Sequence, residues 1–327
     1  MKILAVDDDP IILELLTEVL RAVGFTNLSV CASATEAIET IKQAQVPFDC
    51  FLLDIQMPEM DGIELTAAIR AMPEHAVTPI LMITAMSDRS YVDRAFAAGA
   101  SDYITKPFEI GEVHARLRLI ESLVQERRQA EDRNPVEAVR APLSLVTEDD
   151  LQRRLTPPDI DGFIDYLALE NYLLQMSRLQ AFGMRAFGVV VPDMQRVFRA
   201  SSLFEYEAAV SDFAEAISDC LKPGPFFAAH AGGGDFICVL TGGEGFDREA
   251  FQKHLRDTVR EMDLHFCDGR PMTLAPVVGP ALSLQLRSPR AMTNVLVRAL
   301  SEAEAEANAP RSGPEAGSGP LKFLFGL

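Results

Sequence analysis

Polar side chains with complementary chemistry follow the apolar runs in the first part of the sequence. They are Asp7 and Asp8 after the first run, Asp54 after the third, Thr84 after the fourth and Lys106 after the fifth. Carboxylates held about 4 Å apart repel by roughly a few kcal/mol unless a hard divalent cation neutralises them. Mg²⁺ suits such a site because it accepts one or two carboxylates together with phosphate oxygens. A magnesium ion, an ammonium and a hydroxyl around one carboxylate favour phosphoryl transfer, which depends on positioning and charge neutralisation.

The elements that must bring these side chains together are predicted by a repeated change of hydrophobic period. Between residues 1 and 125, short β-branched runs alternate with stretches whose apolar residues recur at helical spacing. Pro10 and Gly24 predict where the first helix begins and ends. The predicted strands cover residues 2–6, 28–30, 50–54, 79–84 and 101–105. Strict βα alternation predicts an α/β fold with a doubly wound, five-stranded parallel sheet, and it brings the strand ends to one edge.

Four segments at these strand ends resemble the signature segments of a known family. AVDDDP, LLDIQMPEMDG, MITA and YITKPF are similar to those of the CheY-like receiver domain of response regulators, over about residues 1–122. The resemblance implies that Asp54 accepts a phosphoryl group from a phosphohistidine of a sensor histidine kinase or phosphotransfer protein. It also implies a Mg²⁺ site in which Asp8 binds directly and Asp7 through water, with Asp54 and the Gln56 carbonyl as further ligands. From the residues alone, Asp7 to Asp9 could instead cap the first helix, and we interpret Asp9 as a cap.

The same resemblance assigns roles to residues on the fourth and fifth strands. It implies that Lys106 pairs with the phosphoryl oxygens and that Thr84 moves to hydrogen-bond them, drawing the ring of Tyr103 inward. It also implies a cis peptide bond before Pro107. Taken singly, Thr84 and Tyr103 are better explained as ordinary strand residues.

Composition limits what the whole chain can be. A length of 327 residues, 48% of them apolar, is enough for two ordinary cores. The net charge of −18 disfavours nucleic acid as a partner, because it repels polyanions. The five cysteines are scattered without CxxC spacing, which is typical of reduced thiols. The sequence shows neither a signal peptide nor a membrane-length apolar run, so we expect a cytoplasmic protein without a membrane contact.

The predicted organisation has four parts, at residues 1–125, 126–158, 159–306 and 307–327. The first is the receiver-like domain, and the second is a helical extension and linker with a short helix at TEDDLQRRL. The third is an output domain, and the fourth has the composition of a disordered tail. A stripe of apolar residues on the last helix of the first domain could pair with a second copy or belong to the core. The stripe consists of Val113, Leu117, Ile120 and Val124.

The third part changes to a pattern typical of an α+β domain with a mainly antiparallel sheet. Helices are predicted at 162–180, 204–221, 247–262 and 290–306, and strands at 186–191, 225–230, 235–240 and near 272–286. Between the second and third of these strands lies the stretch HAGGGDFICVL. Glycines at a hairpin tip let backbone N–H groups approach a phosphate closely.

Three segments of this part resemble the GGDEF domains of diguanylate cyclases, over about residues 158–305. They are DIDGFIDYLALENYL, FGVVVPDM and AGGGDFICVL. The resemblance implies a site where two divalent ions bridge protein carboxylates and GTP, and where paired chains make cyclic di-GMP. The hairpin residues that correspond to the motif are Gly232, Gly233, Gly234, Asp235 and Phe236.

The hairpin departs from the GGDEF pattern. If Gly232 and Gly233 are the paired glycines, Gly234 replaces the metal-side Asp; if Gly233 and Gly234 are, the following Glu is deleted. On the preceding strand only Asp193 remains of a DxD pair, and LKPGPFF stands where a product-binding RxxD motif belongs. Because each lost ligand weakens a metal site, we expect little or no cyclase activity.

Three hypotheses follow. The leading one is a response regulator phosphorylated on Asp54, with a degenerate GGDEF-like output that acts through protein interaction or dimerisation. The second is a phosphorylation-activated diguanylate cyclase with a site built from Asp193 and Asp235. The third is a module that binds a guanine nucleotide without turning it over, in which Asp212 either contacts the base or is a solvated helix residue.

Overall fold

The computed structural model describes residues 1–85, 89–132, 148–157, 160–242, 245–285 and 287–309. These residues form two five-stranded sheets, one in an N-terminal domain and one in a C-terminal domain. The middle of the predicted linker and the predicted tail from 310 onward lie outside the described residues. None of the described helices is long and apolar enough to span a membrane.

The N-terminal domain has the parallel α/β fold that the alternating pattern predicts. Its strands are β1 (Ile3–Val6), β2 (Leu28–Cys31), β3 (Cys50–Asp54), β4 (Ile80–Thr84) and β5 (Asp102–Thr105). All neighbours pair in parallel, in the order β2-β1-β3-β4-β5. The helices are α1 (Pro10–Ala22), α2 (Ala34–Gln43), α3 (Gly62–Arg70), α4 (Arg89–Ala97) and α5 (Ile110–Asp132).

Helices cover both faces of this sheet because its strands are apolar on both sides. Along β1, Ile3 and Ala5 belong to one buried cluster, whereas Leu4 and Val6 belong to another. Consecutive strand residues point to opposite faces, so a continuous apolar run supplies two cores at once. The first helix begins where predicted, since the Asp9 side chain accepts the N–H of Ile11 and serves as the N-cap.

The last helix of the N-terminal domain continues beyond residue 125, as its sequence predicts. Of the apolar stripe on α5, Val113, Leu117 and Ile120 are buried, and Val124 packs against the same cluster. The cluster also contains residues of β1, β3 and α1. These four residues are therefore part of the domain's own core and do not form a free dimerisation seam.

The C-terminal domain has the mainly antiparallel sheet predicted for an α+β fold. Its helices are α6 (Glu148–Gln152), α7 (Tyr166–Gln175), α8 (Met194–Ala200), α9 (Leu203–Leu221), α10 (Arg248–Glu261) and α11 (Pro289–Asn308). Its strands are β6 (Arg185–Val190), β7 (Phe226–Gly232), β8 (Asp235–Leu240), β9 (Val277–Val278) and β10 (Leu282–Ser283). The sheet runs β10-β6-β8-β7, and β9 also pairs with β6.

Two elements differ from the prediction for physical reasons. The helix predicted at 162–180 is shorter, because Asp165 caps α7 by accepting the N–H of Leu167, and the four residues before it form a turn and a bridge to β7. The helix ends at Gln175. Helix α8 was not predicted, because its seven residues are too few to show a helical period.

Candidate functional site

The side chains of Asp7, Asp8 and Asp54 converge at the carboxyl edge of the parallel sheet. Val6 of β1 lies opposite Leu53 of β3, so the residues that follow them are neighbours. One carboxylate oxygen of each acidic residue lies within 4.8 Å of the other two. Asp7 and Asp54 are buried, whereas Asp8 is exposed. Three carboxylate oxygens with one side open to solvent form a donor set that fits a hard cation such as Mg²⁺.

Lys106 links the two buried carboxylates. Its Nζ lies 2.6 Å from Asp7 Oδ2 and 3.0 Å from Asp54 Oδ1. The peptide bond between Lys106 and Pro107 is cis. Burial acts to lower the pKa of Lys106, but its hydrogen bonds to Asp7 and Asp54 outweigh burial and raise the pKa above the ordinary value. The ammonium therefore stays charged and offsets part of the repulsion between the carboxylates.

The loop after β3 holds the Asp54 carboxylate in place. The backbone N–H of Gln56 donates to Asp54 Oδ2 at 3.0 Å. Burial raises the pKa of the Asp54 carboxyl group, against the opposing hydrogen bond and charge of Lys106. A Cβ at Gly62 would lie 1.9 Å from the Asp54 carbonyl oxygen, so only glycine permits this close approach. This contact explains the glycine at the end of the MPEMDG segment.

Thr84 and Tyr103 lie on the two strands beyond β3. Thr84 ends β4 and is fully buried, and its carbonyl oxygen accepts the N–H of Lys106 at 2.7 Å. Tyr103 lies in β5, opposite Met82 of β4, and its half-buried ring meets the ring of Phe96 edge-on at 6.2 Å. Strand β4 therefore lies between Asp54 on β3 and Tyr103 on β5.

A groove of about 430 Å³ opens beside the acidic residues. Its lining comes from the loops after β1 and β3 and from α4: Asp8, Ile55, Gln56, Met57, Pro58, Asp61 and Tyr91. A side chain of another protein can therefore approach the carboxylates from the solvent side.

Comparison with known proteins agrees with this geometry. The profile of the response regulator receiver domain matches residues 3–118. The DNA-binding response regulator MtrA of Mycobacterium tuberculosis is 35% identical over 167 residues, covering 49% of this chain and 68% of MtrA. The signal transduction histidine-protein kinase BarA of Escherichia coli is 38% identical over 114 residues, but the match covers 35% of this chain and only 12% of BarA.

Solved structures match the same part of the chain. The chemotaxis protein CheY4 of Vibrio cholerae is 30% identical, covering 36% of this chain and 97% of its own, with a TM-score of 0.34. The receiver domain of the sensor histidine kinase PA1611 of Pseudomonas aeruginosa, solved with magnesium in its active-site cleft, is 27% identical. It covers 38% of this chain and 97% of its own, with a TM-score of 0.34.

The fold, the acidic edge, the family profile and the sequence relatives define a receiver domain of the kind found in two-component phosphorelays. The chain belongs to the response regulator family, and its receiver domain is the N-terminal domain described above.

In the C-terminal domain, the two candidate metal ligands, Asp193 and Asp235, each interact with another charged side chain. Asp193 stands at the start of α8, and its carboxylate pairs with Arg196 at 3.0 Å. Asp235 begins β8, where burial and the carboxylate of Glu304 raise its pKa to about 7. Within the described residues of this domain, no group of three possible ligands lies close enough to share an ion.

The glycine hairpin is closed on one side by the end of the linker, residues 151–155, which we call the docked linker. The N–H of Gly233 donates to the carbonyl oxygen of Leu151 at 2.8 Å, and the N–H of Leu155 donates to His230 Nδ1 at 3.0 Å. Leu151 is buried in the core of the C-terminal domain. Burial lowers the pKa of His230 to about 4, so this acceptor stays neutral at neutral pH. The sequence suggested that hairpin N–H groups could approach a phosphate, but the N–H of Gly233 is already hydrogen-bonded to Leu151.

The third hairpin glycine has no room for a side chain. A Cβ at Gly234 would lie 2.4 Å from the carbonyl oxygen of Val191 and 2.6 Å from Cβ of Met194. The residues Phe236 and Phe163 pack edge-on behind the hairpin at 6.2 Å. The hairpin thus packs closely against Val191 and the start of α8 at this glycine.

We expect Gly234→Ala to lower the free energy of unfolding by about 2 kcal/mol, because the new methyl group overpacks a backbone contact. Urea unfolding measures the effect. Gly111→Ala is the matched control, since nothing lies within 4 Å of a Cβ there and alanine favours the helix. Equal midpoints for both variants would show that the hairpin can move away from α8.

We expect Asp235→Asn to stabilise the protein at pH 8 by about 2 kcal/mol. The pKa of Asp235 is raised from 3.8 to about 7, so its contribution to stability is fully present below pH 3.8 and is lost as the pH rises through about 7. One pKa unit corresponds to about 1.4 kcal/mol. Because Asp235 is partly exposed, we expect roughly half of the free energy that the full pKa shift would give. Unfolding free energies at pH 5 and pH 8 should converge in the variant, and Glu304→Gln should reproduce part of the change. An unchanged difference between the two pH values would contradict this assignment.

Two features of the structure were not singled out from the sequence. Asp102 is buried at 4% exposure between Arg116 and the C-terminal domain, and Leu151 anchors the docked linker. The sequence signal for Asp102 is an acid among the apolar residues of a strand. The short helix predicted around Leu151 indicated structure there but not its contact with the hairpin.

Proposed function

We propose that this protein is a phosphorelay response regulator in which Asp54 accepts a phosphoryl group from a sensor histidine kinase or phosphotransfer protein. One observation carries the proposal: Lys106 contacts both Asp7 and Asp54 within a group of three carboxylates that fits Mg²⁺. The groove beside Asp8 and Gln56 supports an approach of the donor from solvent.

In this proposal an oxygen of Asp54 attacks the phosphorus atom of a phosphohistidine. A new O–P bond forms as the P–N bond breaks, and the imidazole leaves with the electron pair of that bond. Magnesium, when bound, neutralises charge on the phosphoryl oxygens. The ligands would be Asp8 directly, Asp7 through water, and Asp54 with the Gln56 carbonyl. Lys106 holds a fixed positive charge beside the acceptor oxygen, and Thr84 supplies a hydroxyl from the next strand.

For the C-terminal domain we propose a degenerate GGDEF-like output that does not make cyclic di-GMP. Three observations support it. No group of three possible metal ligands lies together among the described residues of this domain, Gly234 is tightly packed, and the docked linker bonds Gly233. Such an output acts through protein contacts. The pairing of two chains stays a prediction, as does a cytoplasmic location without a membrane or nucleic-acid partner. The name of MtrA says that it binds DNA, but a charge of −18 argues against the same role here.

A single incubation tests both parts of the proposal. Purified protein is mixed with acetyl phosphate, Mg²⁺ and GTP, and the intact mass and the nucleotides are analysed. We expect an added phosphoryl group that is lost on hydroxylamine treatment, and no cyclic di-GMP. Absence of the phosphoryl group with every phosphodonor tried, a cognate kinase included, would refute the acceptor role. Cyclic di-GMP that disappears in Asp235→Ala would establish the cyclase instead.

A further inference from the structure

Two stretches of the C-terminal domain lack acidic residues although the chain as a whole is strongly acidic. Residues 171–192 and 269–301 contain neither aspartate nor glutamate, whereas the chain has 48 of these residues in a length of 327. Every charged residue in the two stretches is an arginine. The net charge of −18 therefore does not describe the charge of this part of the protein.

The fold brings the two stretches together at one end of the antiparallel sheet. Arg185, the first residue of β6, lies opposite Ser283 of β10. The N–H of Leu284 donates to the carbonyl oxygen of Met184 at 3.1 Å. Arg287 Nε donates to the carbonyl oxygen of Ser283 at 2.9 Å, so its guanidinium group lies beside the same pair of strands. The arginines at the start of β6 and before α11 therefore share one end of the sheet.

Four arginines at this end have no acidic partner among the described residues. Arg178 follows α7, Arg185 begins β6, Arg287 precedes α11, and Arg290 lies in the first turn of α11. None of the four forms an ion pair within the part of the chain that the structure describes. The first turn of α11 contains no acidic residue, although the helix dipole favours one there. The positive charge at this end is therefore available to an external anionic group.

The turn between α7 and β6 adds two exposed apolar side chains. Leu179 is 85% exposed and Phe182 is 67% exposed. Ala181 is buried in the domain core, and its N–H donates to the carbonyl oxygen of Ser177 at 3.1 Å. The N–H of Ser177 donates to Gln180 Oε1 at 2.9 Å. The turn is thus fixed to the core while its two largest apolar side chains face solvent, as is typical of an interaction site.

We propose that this end of the C-terminal domain binds an acidic segment of another protein that also carries apolar side chains. Guanidinium groups pair with carboxylates through two parallel hydrogen bonds, and exposed leucine and phenylalanine side chains offer contacts to apolar residues between the acids. The inference rests on the proposed output through protein contacts and names its surface and the chemistry of its partner. We call it the arginine surface, and it consists of Arg178, Leu179, Phe182, Arg185, Arg287 and Arg290.

The charge of the whole molecule favours a protein segment over a membrane as the partner. An anionic lipid surface attracts the four arginines but repels the rest of a chain whose net charge is −18. Two apolar side chains also give little area to bury in a bilayer. A protein segment covers the arginine surface alone, so its carboxylates stay away from the acidic remainder of the chain.

Selection from a random peptide library displayed on phage tests the proposal on the full chain. We expect the selected peptides to be rich in aspartate and glutamate and to contain leucine or phenylalanine. One selected peptide is then synthesised, and its dissociation constant is measured by fluorescence anisotropy. Phe182→Asp, and Arg178→Glu combined with Arg290→Glu, should each raise this constant by at least about tenfold, because an anchor or two charge pairs are lost. Added salt should weaken the binding as well.

Two variants on α9 and α10 are the matched controls, since these helices pack on the other face of the sheet from α7 and α11. Phe204→Asp changes a side chain that is 77% exposed, and Lys253→Glu reverses an exposed charge. Both should leave the dissociation constant within about twofold of the unmodified value. The proposal is refuted if no peptide is enriched, if the enriched peptides lack acidic residues, or if they bind the surface variants and the controls equally.

Two further measurements decide whether another partner occupies the arginine surface. Cosedimentation with phosphatidylcholine vesicles that contain phosphatidylserine, lost in Phe182→Asp, would replace the protein segment by a lipid surface. Self-association in analytical ultracentrifugation, lost in the same variant, would replace it by a second copy of this chain. Phosphorylation of Asp54 and formation of cyclic di-GMP are measured in a separate incubation, so a failure of the proposed function and a failure of this surface are distinguishable.

Discussion

Asp54→Asn should abolish phosphorylation by acetyl phosphate, with a loss of at least about a thousandfold in rate. The amide lacks the anionic oxygen that attacks phosphorus, and no described carboxylate can replace it: Asp7 is held by Lys106, and Asp8 is at the solvent side. The measurement is the mass increase of the intact protein over time. The fold should be retained, because asparagine has nearly the same shape and removes a buried negative charge next to Asp7.

Asp9→Asn is the matched control for this prediction. Asp9 lies next to the acidic pair but caps α1, accepting the N–H of Ile11 at 2.8 Å. Asparagine caps helices as well as aspartate does, so neither stability nor phosphorylation should change appreciably. Phosphorylation that persists in Asp54→Asn and maps to another residue would overturn the assignment of the acceptor.

Lys106→Met should lower the free energy of unfolding by about 3 kcal/mol in the absence of Mg²⁺. The ammonium contacts two carboxylates that are almost fully buried, and removing one partner of a buried ion pair leaves uncompensated charge. Methionine retains the length of the side chain, so loss of packing contributes little. Urea unfolding with a chelator present gives the change.

Magnesium should return much of the stability that Lys106→Met loses. A cation that binds only the folded state stabilises it by about 2.7 kcal/mol at a hundred times its dissociation constant. The variant should also load beryllofluoride poorly, because the ammonium beside Asp54 is missing. Lys42→Met, at an exposed position near the end of α2, should show neither effect. A variant as stable as the unmodified protein without Mg²⁺ would show that Lys106 does not offset the carboxylate repulsion.

The N-terminal domain could be predicted from sequence because its signals are local and repeated. Each strand is a short apolar run, and each functional residue directly follows or ends one. In a parallel sheet the carboxyl ends share an edge, so chain order is enough to bring Asp7, Asp54 and Lys106 together. The observed strand bounds differ from the predicted ones by one residue at most.

The C-terminal domain was predicted as a set of elements but not in its contacts. β7 and β8 form the expected hairpin, yet the partner of Gly233 is Leu151, 82 residues before it. Such a contact depends on how the linker packs and leaves no periodic signal. The close approach of Val191 to Gly234 is likewise a matter of backbone distance, which residue types do not report.

Chain order and residue type alone were enough to place an acidic, lysine-containing edge on a parallel sheet, because in that fold sequence position dictates which end of the sheet a side chain occupies. They could not show that Gln175 reaches Asp102 and Tyr103 from another domain, or that the docked linker occupies the hairpin. Those contacts join residues far apart in the chain, and they depend on how the linker packs into the C-terminal core and how the two domains pack against each other. Such contacts are a property of the tertiary structure, since no partner taken alone, whether Gln175 on a helix or Asp102 on a strand, carries a sequence pattern that predicts them.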